Sequence, residues 1–243
     1  MTRIPHTCDY SYHRQQGLTL VEMMVAITIS LILMTGVIQI FLSSNQSHNV
    51  QNGMAQLQEN ARFALDALSK DIGNAGYSVI LGAPDRVTLA NTLDNVTPNT
   101  ALNFTVAVGN ASDQIEVNYE STTDCLGAAT ATGIATNRYT ITGTDLTCNG
   151  GIIAQNVENM QILYGIDTNG DGVANQYVKA SSITDIKKIV SVRVAVLVST
   201  VNSVGQNSTG TFSLLNAPAV GPFSDNLLRR VFTRTILVRT TPP

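Results

Sequence analysis

The chain has 243 residues, 44% hydrophobic, 13% charged and 5% aromatic with no Trp, which excludes a disordered chain and an acidic or basic tail protein. A formal net charge of -3 argues against a nucleic-acid duplex or an anionic membrane surface as the main partner. There are only three His and three Cys, and His6, His13 and Cys8 all fall within the first 17 residues; the remaining His48, Cys125 and Cys148 are too few for a Cys/His zinc site or a Cys-His nucleophilic pair.

The first element is an apolar run from Leu18 to Leu42 (LTLVEMMVAITISLILMTGVIQIFL), 25 residues with a single charge. As a helix it spans about 37 Å, enough to cross a bilayer. It is also longer than the roughly 7 to 15 apolar residues of a secretory signal peptide. Arg3 and Arg14 precede it, and no Lys or Arg occurs between Gly17 and Ala61. That asymmetry keeps the N-terminus in the cytoplasm and exports everything after Leu42.

Glu22 lies inside this run, where an ionised group costs on the order of 2.5 to 3.5 kcal/mol on insertion scales. A carboxylate there wants a partner. Cleavage between Gly17 and Leu18 would create an α-amino group four residues before Glu22, able to neutralise it in a neighbouring copy. The plainer reading is a helix N-terminal carboxylate favoured by the helix dipole.

Arg14-Gln-Gln-Gly17 followed by Leu18-Thr-Leu-Val-Glu22 and an uninterrupted apolar stretch resembles the class III signal of type IV prepilins. The resemblance implies cleavage after Gly17 by prepilin peptidase, methylation of the new N-terminal Leu18 by the same enzyme, and an assembly role for Glu22. Leu18 departs from the Phe usual at that position.

From Ser43 to Gly53 the sequence turns polar, and apolar residues then recur at helical spacing: Met54, Leu57, Ala61, Ala64, Leu65, Leu68 and Ile72. The spacing predicts that the helix continues as an amphipathic one until Gly73 and Gly76 stop it. A coiled coil is the alternative, over fewer than about three heptads. After Tyr77 the period changes to two. Leu102, Phe104, Val106 and Val108 alternate with polar or small residues, as do Ile115, Val117 and Tyr119, predicting half-exposed antiparallel strands. Further strands are predicted over Arg138–Thr142, Ile152–Ile166, Gln176–Ala180, Ile189–Thr200 and Leu228–Arg239. The run IVSVRVAVLV, apolar on nearly both faces, is placed centrally in a sheet under the helix, with its Arg193 at a sheet edge or paired with a carboxylate. Val201 to Asn226 reads as a long loop.

The two cysteines on the exported side, Cys125 and Cys148, are 23 residues apart and are expected to pair in an oxidising compartment. A catalytic Cys would need a nearby His. Asp167-Thr-Asn169-Gly-Asp171-Gly172 carries the opening oxygens and turn glycine of a calcium loop. Val178 stands where an EF-hand has its bidentate Glu, so the choice lies between a plain turn and a weak calcium site at Asp167, Asn169 and Asp171. No other cofactor is called for.

Three later segments extend the resemblance: QENARF with LDALSKDIGNAGY up to Tyr77, then Val157-Glu-Asn-Met-Gln-Ile-Leu-Tyr164-Gly-Ile-Asp, and a closing Arg-Arg-Val-Phe-Thr-Arg-Thr-Ile. Together they resemble PilW-type minor pilins, with pseudopilin J of type II secretion as the related class. The resemblance implies an α+β, type IV pilin-like fold. A leader spans 1–17, a transmembrane or filament-core half-helix 18–42, an amphipathic half 43–76 and a β-rich head 77–243, packed on the helix as antiparallel sheet. It implies a non-enzymatic subunit that sits in the inner membrane with its head in the periplasm and then joins an extracellular pilus. Its partners would be prepilin peptidase, other minor pilins, the major pilin and a tip adhesin, with no nucleic acid bound directly. The reading from another class is a membrane-anchored envelope enzyme or binding protein, for which no nucleophile elbow, HExxH or phosphate loop is present.

Overall fold

The computed structural model describes residues 17, 19–75, 112–185, 188–204 and 209–238. Leu18 and the predicted strand at Leu102–Val108 lie outside them. Among the described residues one α-helix, α1 (Leu20–Gly73, 54 residues), is followed by eight strands: β1 (Ile115–Glu120), β2 (Ile134–Thr142), β3 (Asp145–Cys148), β4 (Gly151–Ala154), β5 (Val157–Ile166), β6 (Gln176–Val178), β7 (Ile189–Ser199) and β8 (Arg229–Leu237). The chain divides into two compact units at Ser47/His48, within α1.

In the first unit every described residue is exposed, including Leu20, Ile32, Ile40 and Phe41. Length and composition make this helix able to cross a membrane. The second unit begins at His48 and contains the amphipathic part of α1, whose Leu57, Ala61, Ala64, Leu65, Leu68 and Ile72 are buried at the spacing of one helix face.

The strands form two antiparallel four-stranded sheets, ordered β1-β2-β3-β4 and β6-β5-β7-β8. Both face the same buried cluster as α1, to which the first contributes Val117, Tyr139 and Leu146 and the second Met160, Val192, Val194 and Val196. Fully burying a side chain of this kind stabilises by about 1.5 to 3 kcal/mol, so the helix is held chiefly by its apolar face. Gly53 is needed for close approach, since a Cβ there would lie 3.1 Å from Thr200 Cγ2 and 3.3 Å from Val204 Cγ1.

The central position expected for IVSVRVAVLV is the one found. β7 pairs with β5 on one side and β8 on the other, and its second face packs Ala195 and Leu197 against Leu214, with Phe212, Phe223 and Val231 around them. The segment from Phe212 to Phe223 therefore covers the second sheet, with a bridge between Phe212 and Val220. Arg193 is not at an edge, and among the described residues no carboxylate pairs with it. Its guanidinium stacks 3.8 Å from the Tyr177 ring centre, and Nε donates to Thr235 Oγ1 at 3.3 Å. The predicted strand Ile152–Ile166 also divides, because Asn156 adopts φ 59° and sends β4 and β5 into different sheets. Asn tolerates that left-handed backbone through its short polar side chain, and Asp145 Oδ1 accepts the Asn156 N–H at 3.0 Å.

Candidate functional site

The prepilin-type signal occupies the start of α1. Gly17 is exposed and in no regular element. Thr19 caps the helix: its Oγ1 accepts the Glu22 backbone N–H at 3.3 Å, and its carbonyl accepts the Met23 N–H at 3.2 Å. Thr19-Leu-Val-Glu22 is thus the sequence of a capping box, with the Thr half of the box formed. The Glu22 side chain is exposed, in the first turn, where the helix dipole favours a negative charge. Among the described residues no cation pairs with it. The arrangement leaves Glu22 available to a positive group from outside the chain, on a helix start already closed by Thr19.

In the head, Cys125 and Cys148 are joined by a disulfide with Cα atoms 6.4 Å apart, tying the turn after β1 to the end of β3. The turn is also fixed by Asp124, whose Oδ1 accepts the N–H groups of Leu126 and Ala128, each at 2.9 Å. Those backbone bonds hold the half-buried Asp124 carboxyl below its usual range. Beside the disulfide, Asp71 in the last turn of α1 is buried among core-facing residues of the first sheet. Its carboxylate accepts from Tyr119 Oη at 2.9 Å, Tyr139 Oη at 2.7 Å and Asn137 Nδ2 at 2.6 Å. Burial, and then the hydrogen-bonded Asp71 carboxylate, push both phenols up.

A second buried polar cluster fastens the covering segment of the second sheet. Arg229, at the start of β8, grips Glu158 through Nε at 2.6 Å and Nη2 at 2.9 Å, and Asp225 through both terminal nitrogens at 2.6 Å. The guanidinium lies 3.6 Å from the Phe223 ring centre. These hydrogen bonds lower the Asp225 carboxyl. For Arg229, burial pulls down, and its carboxylate partners outweigh that so the net direction is upward.

The Asp167 loop is the connection between β5 and β6, paired at Ile166 and Gln176. Asp167 Oδ1 accepts the N–H groups of Asn169 at 3.1 Å and Gly170 at 2.7 Å, and Oδ2 accepts that of Gly172 at 2.7 Å. The Gly172 amide is the main cause of a carboxyl lowered from its usual range. Asp171 accepts from Val173 N at 2.8 Å and Asn169 Nδ2 at 3.0 Å, and Asn175 Oδ1 accepts the Thr168 N–H at 2.7 Å. Gly170 and Gly172, at φ 80° and 79°, permit this turn. Every carboxylate oxygen in the loop therefore already has a donor, and Val178 is locked into the ladder opposite Tyr164. The residues fit a self-closed turn, and no group of three or more His, Cys, Asp or Glu that could hold a metal occurs among the described residues.

Asp71, Asn137 and the Arg229 cluster were not singled out from the sequence. The available signal for Asp71 was a carboxylate beside Leu68 and Ile72 on an otherwise apolar helix face. Arg229 and its partner Glu158 are 71 positions apart and carried no local signal.

Two family models match the chain, one over each part of this arrangement. A family model described as Type IV Pilus-assembly protein W matches residues 105–240, which include all eight strands. The prokaryotic N-terminal methylation motif matches residues 12–38, which contain Gly17, Leu18 and Glu22. No curated protein matches the chain. Among solved structures, a type IV-like pilin from Thermus thermophilus is similar at 11% identity and a TM-score of 0.41, over 75% of this chain and 95% of that one. With a methylation motif at the head of a long apolar helix and a W-type domain over the sheets behind it, this chain is a type IV pilin-like protein and belongs to the Type IV Pilus-assembly protein W family.

Proposed function

We propose that the chain is a minor pilin, cut by prepilin peptidase between Gly17 and Leu18, that primes or joins type IV pilus assembly near the filament tip. The observation that carries this reading is the pairing of an exposed Gly17 with a capped apolar helix whose one charge, Glu22, is free to meet a cation from another chain. The helix anchors the precursor in the inner membrane with the head on the periplasmic side, where a disulfide is stable. The Gly17–Leu18 bond then lies at the cytoplasmic face, within reach of a membrane peptidase that also methylates Leu18. Its partners are other minor pilins, the major pilin and a tip adhesin. The pilin family is structural, and the Asp71 and Arg229 clusters of the head are engaged in fastening it. A pseudopilin of type II secretion would share every feature of the N-terminal site, and the subunits that co-purify with the chain distinguish the two.

N-terminal sequencing of protein from membranes should return a methylated Leu18. A start at Met1, or beyond Leu42, overturns the proposal. Gly17→Phe should leave an uncut chain in the inner membrane, since a bulky residue next to the scissile bond obstructs the peptidase.

For the Asp167 loop we propose a structural turn closed by its own donors. Millimolar calcium, the range in which a weak extracellular site would fill, should leave the melting temperature of the detergent-solubilised chain unchanged. A rise that Asp171→Ala removes would instead assign a weak calcium site to Asp167, Asn169 and Asp171.

A further inference from the structure

The disulfide and the end of α1 are connected by an unbroken set of polar contacts. Asn137 stands between them: its Oδ1 accepts the Cys125 backbone N–H at 2.9 Å, and its Nδ2 donates to Asp71 at 2.6 Å and to Tyr119 Oη at 3.2 Å. An amide side chain turned the other way would put its oxygen against the Asp71 carboxylate, which is repulsive. The Cys125 N–H therefore selects the orientation that serves Asp71. That N–H is in turn placed by the turn that the Cys125–Cys148 bond holds to the end of β3.

Asp71 is a costly residue at its position. It is 4% exposed and lies in the final turn of a helix, where the dipole disfavours a negative charge. Nothing on α1 offsets that cost. Three donors do, all from β1 and β2, so the last turn is seated only when the sheet presents Tyr119, Tyr139 and Asn137 together. A buried carboxylate whose partners are partly removed is strongly destabilised.

We propose that the Cys125–Cys148 disulfide and the seating of the last turn of α1 form one redox-linked latch, with Asn137 as the coupling residue and Asp71 as the bolt. Reduction by a dithiol breaks the S–S bond, transfers two electrons and two protons to give two thiols, and closes the reductant's own disulfide. The turn carrying Cys125 is then released, Asn137 loses the contact that orients it, and the helix end loses its hold on the first sheet. Helix seating becomes a report of oxidation, completed only on the oxidising side of a membrane. This device is independent of which filament the chain serves.

Linkage is reciprocal, so a residue that stabilises the seated helix must also stabilise the disulfide. The test equilibrates the detergent-solubilised full chain with reduced and oxidised dithiothreitol. Asp71→Asn, which touches neither cysteine, should shift the dithiol/disulfide ratio toward the dithiol by about tenfold. Leu214→Ala is the control: it opens a cavity in the separate cluster on the other face of the second sheet, and should shift the ratio no more than about twofold. Equal shifts in the two variants would overturn the proposal. Should Asp71→Asn fail to fold, Tyr139→Phe removes one donor of the three and should shift the ratio about threefold; an unchanged ratio there overturns it as well. In the wild-type chain, reduction should speed amide exchange over residues 68–73 and leave 57–65 as they were, and exchange unaltered at 68–73 would equally refute the latch.

Discussion

Glu22→Ala is expected to insert, to be cut after Gly17 and to fold its head, yet to enter pili poorly. The helix start does not depend on the side chain that is lost. The bond to Thr19 is made by the Glu22 backbone N–H, at 3.3 Å, and Ala keeps it; Ala is also the best helix former. What disappears is the carboxylate. In the bilayer it sits near the end of the apolar run, where water contact limits its cost. Under the proposed assembly that relief is gone in the filament, and the positive N-terminus of an adjacent pilin would take its place. Removing one partner of such a buried pair costs about 3 to 5 kcal/mol, or roughly a hundredfold or more in the incorporation equilibrium. Glu22→Asp should be intermediate, because the charge is kept on a shorter arm. Immunodetection of the subunit in sheared pili, with filaments counted in parallel, checks this. Wild-type incorporation of Glu22→Ala would leave Glu22 as a dipole-favoured helix-start residue and place the chain's role in its head.

Arg229→Ala should be the most damaging single change in the head, by about 3 to 5 kcal/mol, because it leaves the Glu158 carboxylate part-buried without its cation. The guanidinium is 3% exposed and makes four short hydrogen bonds to two carboxylates while stacking on Phe223. Arg229→Lys cannot replace a planar fork that grips two carboxylates, and should recover only part of the loss. The loss should appear as a fall in melting temperature on the order of 10 °C in the full chain. Processing after Gly17 should be untouched, since Arg229 and its partners belong to the second compact unit and the cleavage signal to the first. The cluster also sets an acid limit. Asp225 is lowered by the Arg229 hydrogen bonds, so its contribution is complete above the ordinary carboxylate range of about pH 4 and fades as pH falls through the lowered value. A melting temperature within a degree or two of wild type for Arg229→Ala would show that Phe212, Leu214 and Phe223 hold the covering segment by packing alone.

The N-terminal helix of this protein was legible because its physics is local. An apolar run long enough for a bilayer, one carboxylate within it and a Gly just before it lie between Gly17 and Leu42, and a helix satisfies its own backbone wherever it is placed. The same holds for the amphipathic face from Leu57 to Ile72 and for the centrality of IVSVRVAVLV, where burial on both faces leaves an unmistakable apolar pattern. Tertiary structure decided the rest. Arg193 was misread because a stacking partner, Tyr177, sits on a strand that pairs with β5 rather than with its own. The break at Asn156 depends on one residue's tolerance of a left-handed backbone, which a period-two pattern cannot register. Asp71 and Arg229 are held by partners as many as 68 and 71 positions away. A charge in an apolar segment announces in the sequence that it needs a partner, but only the fold, by bringing strands together across that distance, determines which side chains arrive to satisfy it.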